Sequence, residues 1–292
     1  MSKPVERISK GIVRVLGLNP GPFTLQGTNT YVIGNGHRRL LVDTGDGAQP
    51  EYLTLLRQTL DGSQIDQILL THWHPDHVGG LPLLLHSDLV TPDLSIYKRH
   101  DTEHPVDGAK NIVDGQTFVV DEMTLTAVLT PGHTNDHVAF LINNEQKILV
   151  TGDLILGQGT TIVDELMPYM QSLDRVRALM PEVLLPGHGP VIQGDTEGQS
   201  NAVRVIDGYI AHRKMREKQI LQTIAGTPPT EDALGWSVEQ ITAAVYPDII
   251  DPRVVWAAQK NVRLHLDKLV SEKKVKQVAD PLDPQTSLWT LI

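Results

Sequence analysis

The stretch Thr71-His72-Trp73-His74-Pro75-Asp76-His77 follows directly on the apolar run Ile68-Leu69-Leu70. Three histidines and an aspartate thus crowd into six residues at the point where an apolar run stops. Such a run, ended by a polar turn bearing Pro or Gly, reads as a buried strand feeding a loop. The same pattern occurs four more times. Leu40-Leu41-Val42 runs into Asp43-Thr44-Gly45, and Ala127-Val128-Leu129 into Thr130-Pro131-Gly132-His133. Ile148-Leu149-Val150 runs into Thr151-Gly152-Asp153, and Val183-Leu184-Leu185 into Pro186-Gly187-His188. Strands that all end this way would gather their His and Asp side chains along one edge of a layered fold, where rigid elements hold functional loops.

The residue types point to metal chemistry. The chain has no cysteine, so thiolate sites, disulfides and cysteine nucleophiles are excluded. Imidazole and carboxylate suit borderline divalent ions, zinc first. Seven side chains fit two ions: His72, His74 and His133 for one, Asp76, His77 and His188 for the other, with Asp153 between them. Two ions ~3.5–4 Å apart clamp and activate a water for hydrolysis. The two carboxylates, Asp76 and Asp153, are therefore the expected catalytic groups, and Mn²⁺ is an alternative to Zn²⁺ because availability as well as affinity decides loading. Asp43 is expected behind the ligands, accepting the free N–H of an imidazole and fixing its tautomer. His137 lies four residues after His133, a helix-like ligand spacing, but with seven ligands in place it reads as a hydrogen-bonded supporting or helix-start residue. His37, His86, His100, His104 and His265 stand alone in the sequence and receive no role.

Organisation outside the motifs indicates an α/β layer architecture. Asn35-Gly36 between Val32-Ile33 and Leu40–Val42 signals a hairpin, since both residues tolerate positive φ. Glu51–Leu60 and Ser172–Met180 carry apolar residues at helical spacing. The character changes at the polar segment Gly194–Gln199, which sets the expected domains at 1–199 and 200–292. Beyond it a long helix ends at Thr227-Pro228-Pro229, and Ser237 caps another helix with Glu239 and Gln240 in its first turn. A further helix near Val254–Ser271 and two short strands, Lys273–Val278 and Ser287–Ile292, joined at Asp280–Pro284, complete the order of a small winged helix.

Net charge is −10, and the acidic excess lies early: 13 Lys+Arg against 24 Asp+Glu before residue 200, 12 against 11 after it. Bound cations would offset part of that excess. The near-neutral C-terminal third is not a strong polyanion binder by charge alone. Its clusters Arg213, Lys214, Arg216 and Lys273, Lys274, Lys276 read as a solvated helix face and a solvated turn. No apolar run is long enough for a membrane span, and the N-terminus MSKPVERISKGIVRVLG lacks a secretory core, so an intracellular protein of the cytoplasm or mitochondrial matrix is expected.

These motifs resemble the metallo-β-lactamase-fold superfamily, marked by H-x-H-x-D-H followed by a distant His, an Asp and a last His. Within it, Leu18–Tyr31, Thr71–Gly80, Pro131–His137, Gly152–Thr160, Tyr169–Leu173, Pro186–Val191 and His212–Leu221 resemble the β-lactamase-like protein 2 family. That resemblance implies an αββα sandwich with two zinc ions and endoribonuclease activity on single-stranded RNA. It also implies Asn29 and Tyr169 as substrate-binding groups. Similar fungal relatives are thioesterases that release polyketides from a carrier protein, so an acyl-thioester is the alternative substrate. A nucleic-acid-binding module with a structural metal is the non-enzymatic alternative. The resemblance disfavours lactamase and glyoxalase roles, for want of an export signal and of a glutathione-binding helical domain.

Overall fold

The computed structural model describes residues 3–143, 145–196, 199–229, 233–279 and 287–292. The chain forms two compact units, residues 1–162 with 168–207, and residues 163–167 with 208–292. Against the expected division at 199/200, the change of unit falls inside a helix.

The first unit opens with β1 (Val5–Ser9), β2 (Ile12–Leu16), β3 (Asn29–Ile33), β4 (Arg38–Val42), helix α1 (Glu51–Leu60) and β5 (Gln64–Leu69). Two short helices, α2 (Pro75–Val78) and α3 (Leu81–Leu85), lead to β6 (Val90–Lys98) and β7 (Lys110–Asn111). These strands form one seven-stranded sheet in chain order, antiparallel as far as β4 and parallel from β4 to β7. Then come β8 (Thr117–Val120), β9 (Met123–Leu129), β10 (Val138–Asn143), β11 (Lys147–Gly152), α4 (Leu166–Ala178) and β12 (Val183–Pro186), whose strands form a second sheet in the order β12-β11-β10-β9-β8.

Alternation along the strands sorts side chains into layers. Tyr31, Ile33, Leu40 and Val42 meet Leu125, Ala127, Phe140, Ile148 and Val150 between the sheets. Val32 and Leu41 point the other way, into a second core with Tyr52, Leu56 and Leu60 of α1 and Leu81 and Leu84 of α3. Helix α4 docks against the second sheet, where Ser172 Oγ donates to the Pro131 carbonyl. The layers are those of an αββα sandwich. A small hairpin, β13 (Asp195–Thr196) and β14 (Gln199–Ser200), leads into α5 (Asn201–Ile224). Among the described residues no helix is long and apolar enough to cross a membrane.

The β3–β4 hairpin forms where expected, but not by the expected turn. Gly34 carries the positive φ, at +112°, and neither Asn35 nor Gly36 does. The N–H groups of both Asn35 and Gly36 donate to Asp121 Oδ2 from the β8–β9 turn, so a contact between the sheets fixes this loop.

The second unit packs the later part of α5 with α6 (Val238–Val245), α7 (Pro252–Ser271) and the antiparallel pair β15 (Val275–Ala279) and β16 (Ser287–Leu291). Ile220, Ile241, Val262, Leu266, Leu269 and Trp289 form its core. The expected Asp280–Pro284 turn lies outside the described residues. Ser237 and Gln240 make the reciprocal capping box at the start of α6. The first basic cluster is not a solvated face. Lys214 is exposed, but buried Arg213 donates to Asn261 Oδ1 at 2.7 Å, and the Arg216 guanidinium lies 3.9 Å over the Tyr246 ring.

Two expectations follow for this unit. Ser237→Ala should lower its stability by about 1 kcal/mol in denaturant unfolding, the usual effect of losing a cap. His265 on α7 is 1% exposed, with neither ring nitrogen hydrogen-bonded. Burial, and then the cations Arg213, Lys268 and Arg216, push it from 6.5 down to about 3. The folded form thus holds a neutral ring while the unfolded chain takes up a proton below pH 6.5. Stability should fall from about pH 6.5 toward pH 3 more steeply in the wild type than in His265→Leu; identical slopes would contradict the assignment.

Candidate metal centre

β4 and β5 run parallel in one sheet; β9, β11 and β12 share a direction in the other. Their C-terminal ends deliver Asp43, His72, His133, Asp153 and His188 to one edge of the sandwich, and α2 adds Asp76 and His77. Two groups result, each with donor atoms within 4.8 Å of one another: His72, His74, His133 and Asp153, and Asp76, His77 and His188.

In the first group His72 Nε2 lies 2.9 Å from His74 Nδ1, and His133 Nε2 lies 3.2 and 3.1 Å from these two atoms. In the second, Asp76 Oδ2 stands 3.2 Å from His77 Nε2 and 3.1 Å from His188 Nε2. Asp153 Oδ2 reaches both groups, 3.6 Å from His133 Nε2 and 3.4 Å from His188 Nε2. Donors about 2.0–2.1 Å from a tetrahedral ion stand ~3.3 Å apart, so these separations fit a metal in each group.

The proton positions fit as well. Asp43 Oδ1 accepts the Thr71 N–H, and Asp43 Oδ2 accepts the Thr71 hydroxyl at 2.9 Å. With its proton given to Asp43, Thr71 Oγ1 accepts from His72 Nδ1, also at 2.9 Å. His133 Nδ1 donates to the Ile162 carbonyl at 2.6 Å. In the neutral tautomers these bonds select, both rings turn the lone pair of Nε2 inward, 3.2 Å apart. A cation between them removes that conflict. His77 Nδ1 donates to Asp43 Oδ2 at 2.8 Å, which leaves its Nε2 facing Asp76 and Asp153.

The charges divide the centre in two. Burial, then the neighbouring imidazoles His77 and His133, hold His72 well below its ordinary pKa; burial and then His133 bring His74 down to about 4. Burial also opposes a proton on His77 and His188. There the carboxylates outweigh it: Asp43 leads for His77, held well above the ordinary value, and Asp153 for His188, raised to about 9. Burial would raise Asp76 and Asp153, but the facing imidazoles keep both well below the usual carboxylate range. Gly187 makes room for this crowding, since a Cβ there would stand 2.3 Å from Asp153 Oδ1.

His137 is buried and supporting, at the start of a strand rather than a helix. Its Nε2 accepts the Asp153 N–H at 3.1 Å and its Nδ1 meets Thr130 Oγ1 at 2.8 Å, so neither nitrogen is open to an ion. Asn29 and Tyr169 sit behind the ligands and bind main-chain carbonyls. Both are fully buried. Asn29 Nδ2 donates to the Pro186 and Gly189 carbonyls and Tyr169 Oη to the Leu154 carbonyl, so their polar atoms pin the chain around His188 and Asp153. Sequence reasoning missed Thr28 and Asn19. Thr28 Oγ1 donates to Asp76 Oδ2 at 3.0 Å and receives Asn19 Nδ2 at the same distance. Both lie in the motif Leu18–Tyr31, which marks the segment without assigning either side chain a partner.

Residues 23–188 match the model of the metallo-beta-lactamase superfamily. The chain belongs to that superfamily. Residues 237–286 match the beta-lactamase associated winged helix domain. A beta-lactamase-like protein 2 homolog from Caenorhabditis elegans is 40% identical over 94% of this chain and 89% of its own length. An atrochrysone carboxyl ACP thioesterase from Aspergillus novofumigatus is 41% identical over 85% of this chain and 74% of its own. In shape, the crystal structure of a beta-lactamase domain protein from Burkholderia ambifaria covers 99% of this chain and 93% of its own, with a TM-score of 0.79 at 18% identity. The family and its thioesterase-named members make this metallo-beta-lactamase-fold chain a metal-dependent hydrolase, with a His/Asp cluster suited to two ions.

Asp43 supports His77 and, through Thr71, His72. Asp43→Ala should weaken metal binding about 10–100-fold, the usual effect of losing a ligand's partner. Zinc titration against a competing chelator measures it, and wild-type affinity in the variant would refute the role.

Proposed function

We propose that the chain is a two-zinc endoribonuclease acting on single-stranded RNA. What supports this reading is the resemblance of the motifs to the β-lactamase-like protein 2 family, which implies RNA cleavage, with a homologue of that name alike over 94% of this chain. His72, His74 and His133 would hold one ion and Asp76, His77 and His188 the other, with Asp153 within reach of both groups. Zinc suits these donors, and Mn²⁺ is compatible with them. Bound divalent ions supply a water activated at neutral pH and positive charge beside the oxygen that becomes negative.

The chain's own residues provide the setting. Thr71, Asp43 and the Ile162 carbonyl hold protons on the outer nitrogens of His72, His77 and His133, so their Nε2 atoms face inward. Thr28 orients Asp76, and His137 fixes the main chain at Asp153. His72, His77, His133 and His188 are buried, whereas His74 and Asp76 are partly exposed. A phosphodiester therefore approaches from the side of His74 and Asp76.

A second reading rests on the thioesterase-named relative, 41% identical. The same centre would hydrolyse an acyl-thioester on a carrier protein, with attack at a carbonyl carbon. One zinc-loaded preparation tested on labelled single-stranded RNA, DNA and acyl-thioesters separates the two. RNA should be cut, and His74→Ala should slow cutting on the order of 10²–10³-fold, the effect of losing several kcal/mol of charge stabilisation. Equal RNA cutting by wild type and variant would defeat the proposal. Thioester turnover far above RNA turnover would transfer it to the second reading. Elemental analysis adds a check on the ligands: Asp153→Ala should retain fewer than two zinc ions, and two retained ions would exclude a shared role for Asp153.

A further inference from the structure

His74 is held differently from the other imidazoles of the first group. His72 and His133 each have the outer ring nitrogen hydrogen-bonded, to Thr71 Oγ1 and to the Ile162 carbonyl. His74 turns Nδ1 inward, so its outer nitrogen is Nε2, which has no hydrogen-bond partner among the described residues. The ring is also partly exposed. An imidazole without an outer hydrogen bond keeps its rotamer through packing alone.

Three rings pack edge-on against His74, those of His72 at 4.6 Å, His133 at 4.8 Å and Trp73, and of these Trp73 alone stands outside the metal group. The indole and the His74 ring stand 4.5 Å apart at 69°, an edge-on contact. Trp73 is itself stacked on His104, with centroids 3.6 Å apart and planes 8° from parallel. His104 lies in the loop between β6 and β7. The start of this loop is tied down twice. Arg99 Nη1 donates to the Asn135 carbonyl at 2.7 Å, in the loop that carries His133, and the His100 N–H donates to Asn111 Oδ1 of β7 at 2.8 Å. His104 thus reaches Trp73 from an anchored loop, and Trp73 passes the constraint to His74.

We propose that the Trp73–His104 stack positions His74 and thereby sets metal affinity in the group formed with His72 and His133, leaving the Asp76, His77 and His188 group unaffected. Trp73 and His104 are positioning residues, since neither offers an atom to either group. The inference rests on the ligand assignment proposed above.

Metal-free wild type, His104→Ala and His104→Phe, checked for folding by thermal unfolding, are titrated with zinc against a chelator and with cobalt(II) followed by its absorption spectrum. Wild type should show two binding steps. His104→Ala should weaken one of them by about 10–100-fold, with a changed cobalt spectrum for that step and the other step as in wild type. His104→Phe keeps a flat ring against Trp73 and should restore both the affinity and the spectrum. Unchanged steps in His104→Ala, equal weakening of both steps, or no rescue by phenylalanine would each overturn the positioning role while leaving the ligand assignment standing. Fewer than two steps in wild type would overturn the ligand assignment, and this role with it.

Discussion

The structure depends on holding two imidazole nitrogens, those of His72 and His133, within 3.2 Å of each other. Left alone, facing lone pairs in a buried place repel, and each nitrogen would seek a donor instead. The fold prevents that escape. Each outer nitrogen is committed to an acceptor, so in the neutral ring the inner one carries the lone pair. The two rings come from different sheets, so the sandwich must keep its sheets in fixed register before the centre exists at all.

That register is enforced at the site end by polar ties between the layers. The Tyr31 hydroxyl and Asn29 Nδ2 of β3 both donate to the Pro186 carbonyl of β12. Thr28 pairs with His188 across the gap. Lys98 of β6 meets Asp136 at 2.6 Å, with both side chains almost wholly buried, and Thr134 Oγ1 donates to Asp136 Oδ1. This ion pair anchors the loop that carries His133. A buried pair is weak as a source of net stability, because desolvation offsets most of the attraction. Its geometric demand is strict, however, and geometry is what the centre needs.

The strand ends were legible because burial and chemistry change abruptly at the same residue. An apolar run followed by Asp or His is a local signal, and five of them share a direction in space. The β-hairpin at residues 35 and 36 was legible as a turn but not in its mechanism, since Asp121 lies far along the chain. The contacts of Asn29 and Tyr169 were not legible for a related reason. A polar residue in a motif next to ligands suggests substrate contact, yet a buried loop must also satisfy its own carbonyls, and these two side chains do that. His104 looked like any solitary histidine, because its partner Trp73 is close only after folding. Arg213 and Arg216 looked like a solvated face because their acceptors come from other helices.

Both readings of the reaction use the same buried donors, so those donors do not choose the substrate. Selection has to operate on the side where solvent reaches the centre. His74 and Asp76 are partly exposed there, one from each metal group, with Trp73 partly exposed beside His74. A phosphodiester and an acyl-thioester differ in charge and in the bulk flanking the broken bond, and both differences are felt at this rim before they are felt at the ions. Phe23, 74% exposed, lies in the loop that Asn19 and Thr28 anchor next to Asp76. The imidazoles behind that loop, those of His72 and His133, are held by their outer hydrogen bonds. The candidate ligands are therefore fixed by the rigid strand ends, and the part of the centre open to solvent lies on the short loops and helix that the strands hold.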